Sequence, residues 1–268
     1  MSRLQDKVAI VTGATWIGEG GLNIGGATAY EFAARGARVV VADIDGHAAS
    51  GLADRINAEF GGDVAIAQTV DVRIEEDLES LVRTAVSTFG SLDVVVNNAG
   101  IFPGGDREVT KLDIEVWDDV MAVNARGPML LTKHALPVML EQGRGSIVNT
   151  ASTHAFAGDQ ILTGYGASKA ALNALTVYTA TQYGKRGVRC NAICPGATLS
   201  PPAQRLPDAV QSTYLKHTLS TRLNAPDDLA RAFAFLASDD SAGINGAILR
   251  VDGGLLAHQP FAPDLAAI

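Results

Sequence analysis

The chain is poor in cysteine, carries no long apolar run and has no excess of positive charge. Its two cysteines, Cys190 and Cys194, share one strand-like stretch, VRCNAICPG. Four residues of strand separate Cα atoms by roughly 13 Å, and a disulfide needs less than about 7 Å. They cannot pair with each other there and read as buried apolar thiols. No run approaches the roughly 18 apolar residues of a membrane-spanning helix. The first residues, MSRLQDKVAIVTG, lack the apolar core and small-residue cleavage site of a secretory signal. A cytoplasmic location with no membrane partner is therefore expected. The formal net charge of −8 argues against nucleic acid as the main partner. The histidines at 47, 134, 154, 217 and 258 show no metal-ligand spacing, and no metal is expected.

What is present is an apolar, globular composition, 47% hydrophobic over 268 residues, enough for one large α/β domain or two small ones. Short β-branched runs at 7–13, 37–43, 63–71, 92–100, 145–152, 188–196 and 246–254 alternate with helical patterns near 25–35, 47–60, 75–89, 110–140, 163–185 and 226–238. Most runs are apolar throughout rather than alternating, as in strands buried on both faces. The βαβ order predicts a doubly wound Rossmann fold: a mostly parallel sheet of about seven strands flanked by helices. With no linker or repeat, residues 1–268 read as a single domain.

Three features carry chemistry. The first strand runs into VTGATWIGEGGLNIGGATA, a glycine-rich turn opening a helix. Such a turn lets backbone N–H groups approach a pyrophosphate. The second strand ends in Asp43, whose carboxylate can accept from both hydroxyls of an adenosine ribose and repels a 2′-phosphate, which favours NAD. Tyr165 and Lys169 in YGASK lie four apart, on one helix face. A phenol of pKa near 10 is a poor acid–base group at neutral pH, and a nearby ammonium lowers that value. Ser152, at the end of a parallel strand, sits where such sheets bind ligands.

Taken with TGA (12–14), NNAG (97–100), VMAVNARGPM, NAICPG (191–196) and INGAILRVDGG (244–254), these residues resemble the classical short-chain dehydrogenase/reductase family from about residue 4 to 254. The resemblance implies that Tyr165 exchanges a proton with the substrate oxygen and Ser152 hydrogen-bonds it. It implies that Lys169 binds the nicotinamide ribose and lowers the Tyr165 pKa, and that Asn124 holds a water in a proton relay. Asp43 and Ile44 would meet the adenosine ribose, Asp71 and Val72 the adenine, and Asn97, Ala99 and Gly100 would run along the cofactor. The segment after Pro195 and Gly196 would hold the carboxamide. There the chain reads PGATLS where the family prefers PGxVxT, with Thr198 in place of the valine and Ser200 of the threonine.

The glycine loop is longer than the family's TG-xxx-GIG. Counting eighteen positions back from Asp43 gives 43 − 18 = 25, so Gly25 is the last motif glycine and Gly13 the first. Asn23 and Ile24 then precede Gly25, with Asn23 at the place of the middle glycine. Asparagine tolerates left-handed backbone, which makes it a plausible substitute. Nine residues, Ala14 to Leu22, stand where the family has three, an insertion of six. The competing register puts the motif at WIG (16–18) and lengthens the helix start, against the poor helix propensity of Gly20, Gly21 and Gly26. Trp16 reads either as anchor of a cover over the cofactor or as a gap-filler against a neighbouring helix.

The expected function is NAD-dependent transfer of a hydride between the cofactor and a secondary alcohol or ketone. The Tyr–Lys spacing departs from the enoyl reductases, which resemble a pattern with six residues between the pair. A cofactor-free lyase like the halohydrin dehalogenases, or a non-catalytic nucleotide-binding protein, are the alternatives on this fold. Phe102, Ser152, His154, Gln160, Ile161 and Leu162, with a lid at about 197–221, form the expected substrate pocket. They are mostly apolar and suit a small neutral alcohol or ketone. His154 reads either as a ligand for a substrate oxygen or as a pocket-wall residue. The tail at 255–268 carries Leu255, Leu256, Phe261 and Leu265. It reads either as cover for its own sheet edge or as a subunit contact, the latter expected in a homotetramer.

Overall fold

The computed structural model describes residues 4–17, 21–201, 203–259, 261 and 262. Gly18 and Gly20 of the insertion and Leu265 of the tail lie outside the described residues. Among the described residues, seven strands are interspersed with eight α-helices: β1 (Val8–Thr12), α1 (Ile24–Ala34), β2 (Arg38–Asp43), α2 (Gly46–Phe60), β3 (Ala65–Thr69), α3 (Glu75–Phe89), β4 (Val94–Asn97), α4 (Ile114–Met121), α5 (Gly127–Gln142), β5 (Gly145–Thr150), α6 (Thr163–Tyr183), β6 (Val188–Pro195), α7 (Asp208–Lys216), α8 (Pro226–Ala237) and β7 (Ile248–Val251). The spatial order is β3-β2-β1-β4-β5-β6-β7, and every strand pair is parallel.

Strand alternation explains the continuous apolar runs. Val39 and Val41 of β2 point into one helical layer, with Phe32 of α1, Leu52 and Ile56 of α2 and Phe233 of α8. Val40, between them, points into the other, with Leu78 and Leu81 of α3 and Leu131 and Met139 of α5. Both faces are dry, so neither position tolerates a polar side chain. Truncating a fully buried residue such as Phe233 would cost about 3–5 kcal/mol.

The topology also decides where a ligand goes. The chain moves outward from β1 to β3, then returns to the other side of β1 with β4. The helices after β1 and β4 leave in opposite directions, and a crevice opens at the carboxyl ends of the strands. A cleft of about 740 Å³ lies there.

Two elements differ from the sequence reading. The stretch expected as one helix over 110–140 is α4 and α5, joined through a π-helical turn at Ala122–Arg126 that contains Asn124. The lid carries a helix, α7, that the sequence reading does not contain. The tail begins by folding back on the lid: Leu219 N donates to Gly253 O at 2.7 Å, and the His258 ring lies 3.0 Å from His217 O at the end of α7.

Candidate active site

The glycine loop is built by close approach. Gly13 has φ +65°, and a Cβ there would lie 2.7 Å from Ala99 Cα. A Cβ on Gly25 would lie 2.3 Å from Gly13 O. Helix α1 starts at Ile24, so Gly25 is the helix-opening glycine and the WIG register falls away. Asn23 does not adopt the left-handed backbone expected of a glycine substitute: its φ is −75°. Its side chain does the work instead. Asn23 Oδ1 accepts from Gly26 N at 2.7 Å and Thr15 N at 3.2 Å, and Nδ2 donates to Gly13 O at 2.9 Å. One amide thus caps α1 and closes the base of the loop, a role glycine cannot fill.

The described ends of the insertion pair with each other. Trp16 bridges Leu22 in antiparallel fashion, and Ile17 N donates to Gly21 O at 2.8 Å. Trp16 packs on the core beside Leu22 and Ile24, and the Arg55 guanidinium of α2 sits 4.0 Å from its ring centroid. Trp16 is therefore the gap-filler, and among the described residues of the insertion Ile17 lines the cleft.

At the β2 end, Asp43 and Ile44 line the cleft with Asp71 and Val72. Asp43 Oδ1 accepts from Asp45 N at 2.9 Å, and burial raises its pKa above the ordinary carboxylate value. Arg73, absent from the sequence reading, grips Asp71 with Nε and Nη2 and reaches Asp119 through Nη1 at 2.9 Å. Hydrogen bonding from Arg73 holds the Asp71 pKa below its usual value. Gly100, Ala99 and Asn98 line the floor. Asn97 does not. Its amide is buried in a network, donating to Asn149 Oδ1 at 2.8 Å and Thr132 Oγ1 at 3.3 Å. Asn98 faces the cleft and donates to Gly13 O at 3.0 Å, tying the floor to the glycine loop.

At the other end, Ser152, Tyr165 and Lys169 line the same cleft. Lys169 Nζ donates to Thr150 O at 2.8 Å and lies 5.5 Å from the Tyr165 ring centroid. Burial lowers the Lys169 pKa to about 8. Burial also raises the Tyr165 pKa, partly opposed by a hydrogen bond with Ser152. Asn124 is fully buried beside the pair. Its two N–H groups go to Ile101 O at 2.8 Å and Ser168 Oγ at 3.2 Å, and its Oδ1 accepts from Ile101 N at 2.8 Å. Both side-chain donors are committed to structure.

A buried carboxylate that the sequence reading missed sets the Tyr165 helix. Asp106 accepts from Gly164 N at 2.9 Å and Tyr165 N at 2.7 Å. It caps α6 from outside its own sequence, a stabilising place for negative charge. The preceding Leu162 is held at φ +65°, an uncommon conformation for a branched side chain, with Leu162 N donating to Asp106 O at 3.1 Å. No local spacing flags Asp106, since its partners lie 58 and 59 positions away.

Of the expected substrate residues, Phe102, Ser152, His154 and Leu162 line the cleft. Gln160 and Ile161 are exposed and stand outside it. Pro195, Gly196 and Thr198 continue the wall, and Leu206, Gln211 and Tyr214 close it from the lid, with Leu255 from the tail. Cys190 and Cys194 are free and buried. Burial pushes their thiols up to about 12 and about 11, which keeps them unreactive.

A family model described as enoyl-(acyl carrier protein) reductase matches residues 5–256. A short-chain type dehydrogenase/reductase of Bradyrhizobium diazoefficiens is 43% identical over 267 residues, 98% of this chain and 92% of the relative. The chain belongs to the short-chain dehydrogenase/reductase family. A 7alpha-hydroxysteroid dehydrogenase of Bacteroides fragilis, 37% identical over 264 residues, covers 97% of this chain and 98% of its own. The crystal structure of a short-chain dehydrogenase/reductase from Burkholderia xenovorans superposes with TM-score 0.89 at 32% identity, covering 97% of this chain and 100% of the other. The family's oxidoreductases typically bind a nicotinamide cofactor and act on small substrates. Among the described residues, no helix is long and apolar enough to cross a membrane.

Proposed function

We propose that the protein is an NAD-dependent oxidoreductase that interconverts a secondary alcohol and its ketone, with Tyr165 as general acid–base. One observation carries this reading: a single cleft joins a glycine cradle and Asp43 at one end to Ser152, Tyr165 and a buried Lys169 at the other. The residues present fit a dinucleotide. Gly13 and Gly25 let the loop backbone pack where no Cβ would fit, at the start of a helix whose N–H groups favour a pyrophosphate. Asp43 and Ile44 would take the adenosine ribose, with selectivity for NAD from the carboxylate. Asp71 and Val72 would flank the adenine, and Asn98, Ala99 and Gly100 would support the middle. Lys169 would bind the second ribose, and Pro195, Gly196 and Thr198 the carboxamide.

When bound, the oxidised cofactor supplies the hydride acceptor and a positive charge near Tyr165. The chain's own task is to orient the alcohol and manage one proton. Ser152 donates to the substrate oxygen. The Tyr165 phenolate takes the hydroxyl proton as the carbon gives up its hydride. Burial is the main cause that holds the Tyr165 pKa up, so activation at neutral pH depends on positive charge, from Lys169 and from the cofactor, outweighing that desolvation.

The apolar wall of Phe102, Leu162, Leu206 and Tyr214 suits a small neutral, carbon-rich alcohol. The hydroxysteroid dehydrogenase relative supports a cyclic one. The reading includes a homotetramer and a cytoplasmic location. Reduction of a carbon–carbon double bond is the second reading, favoured by the description of the matching family model. It is opposed by the one-turn Tyr165–Lys169 spacing. The test is to incubate the enzyme with NAD or NADP and a panel of cyclohexanol, sorbitol and cholate, and separately with NADH and an enoyl thioester. Formation of NADH from an alcohol supports the reading. Turnover of the thioester alone would overturn it. Failure to bind NADH in a fluorescence titration would favour a cofactor-free lyase, and binding without turnover a non-catalytic protein.

A further inference from the structure

The lid helix α7 turns a polar residue inward. Its larger apolar side chains, Val210, Tyr214 and Leu215, are all exposed. Gln211 alone on the helix is half-buried, and it lines the cleft. A helix that served only to cover an apolar pocket would bury apolar side chains at that place. The cleft offers them company, since Phe102, Leu162, Leu206 and Leu255 line it too.

The Gln211 amide has a fixed sense. Its Nε2 donates to Leu206 O at 2.9 Å and to Gln204 O at 3.5 Å. The reverse orientation would set Oε1 against two carbonyl oxygens, which cannot donate. The nitrogen end therefore ties the lid's own turn. Among the described residues no group donates to Oε1. That oxygen offers the cleft acceptance only. The hydroxyls of Ser200 and Tyr214 on the same cleft can rotate to donate or accept, so they do not choose between the two.

We propose that Gln211 makes the enzyme selective for diols: a secondary alcohol on an apolar skeleton whose second hydroxyl donates to Gln211 Oε1. The inference rests on the oxidoreductase reading above and narrows its substrate class. The reacting hydroxyl goes to Ser152 and Tyr165, the skeleton lies along the apolar wall, and the second hydroxyl meets the lid. An ether, ketone or carboxylate oxygen in that second place has no proton to give and faces Oε1 oxygen to oxygen. A site built to pair with a hydroxyl rejects the analogue that lacks it, because its own polar group is left unpaired. Gln211 keeps some contact with solvent, so the discrimination is the modest kind of a single neutral hydrogen bond.

The test measures kcat/KM with NAD, per reactive hydroxyl, for matched substrates on two skeletons, cyclohexane and decalin. Each set holds a diol, its monomethyl ether and the mono-alcohol. The ether keeps the second oxygen and loses its proton. Wild type should favour the best diol over its ether about five- to tenfold. Gln211→Met removes the acceptor and should bring that ratio to about one, with the mono-alcohol changed less than about threefold. Gln211→Glu keeps an acceptor at the same reach but gives up the hold on Leu206 O, and should retain the diol preference. A wild type that treats diol and ether alike on both skeletons would overturn the proposal. So would a preference that survives in Gln211→Met, which places the acceptor elsewhere. So would loss of the preference in both variants, or an equal fall for diol, ether and mono-alcohol with a lower melting temperature, since a glutamine that only ties the lid gives those results. If wild type oxidises mono-alcohols without regard to a second hydroxyl, only the diol selectivity fails. If it oxidises no alcohol, the functional reading fails and the selectivity with it.

Discussion

At the β1–β2 end of the cleft the wall is mostly backbone. Gly13, Gly25 and Gly100 are there for what they lack, and two side chains that organise the loop, Asn23 and Asn98, direct their amide N–H groups to main-chain oxygens. At the β5–α6 end the wall is side chain. Ser152, Tyr165 and Lys169 each present a polar atom, and their environment sets how they behave. The first end is a shape and the second is a set of protonation states. Changes at the first should alter whether the cofactor is held. Changes at the second should alter what happens once it is held.

The largest effect that would break this contrast is at the backbone end. Gly13→Ala puts a Cβ 2.7 Å from Ala99 Cα at φ +65°. Left-handed backbone and overpacking together should cost about 2–5 kcal/mol in stability or cofactor affinity. Denaturant melts and NADH titration read it, and a variant that keeps both would mean that the loop is not a tight cradle. Next is Asp106→Ala, which strands the Gly164 and Tyr165 N–H groups. It should cost about 1–3 kcal/mol in stability and lower kcat more than cofactor affinity, because the Tyr165 helix loosens. Asp43→Ala sharpens the comparison. Wild type should prefer NAD over NADP at least about tenfold in kcat/KM, about 1.4 kcal/mol, and the variant should narrow that gap. Equal use of NADP by wild type would remove Asp43 from the account. The smallest effect is in the insertion. Trp16→Ala gives up the Arg55 contact and should cost about 1 kcal/mol in stability with cofactor affinity unchanged, whereas Ile17→Ala should weaken NADH binding with stability unchanged. The reverse pattern would make Trp16 the cover after all.

The sheet and the backbone end were legible because their signals are local. Continuous valine runs report burial on both faces, and glycines at fixed spacing from Asp43 locate the cradle despite six extra residues. The lid helix α7 was not legible, since it buries no residue and so carries no apolar period to read. Asn97 and Asn98 differ by one position, and one position in a strand reverses the face. The sequence names the pair but not which one turns inward. Asp106 acts across 58 residues, a contact that only the fold creates. The upward shift of Tyr165 follows from burial, which no motif encodes.

The central claim is that Tyr165 moves the proton while other residues hold the cofactor. Its most direct test is a pair of numbers on one variant, kcat for alcohol oxidation and Kd for NADH in Tyr165→Phe. The account predicts that kcat drops at least about a hundredfold while Kd changes less than about threefold, within roughly 0.7 kcal/mol. A variant that retains most of its kcat, or that loses kcat only in proportion to cofactor binding, would contradict it.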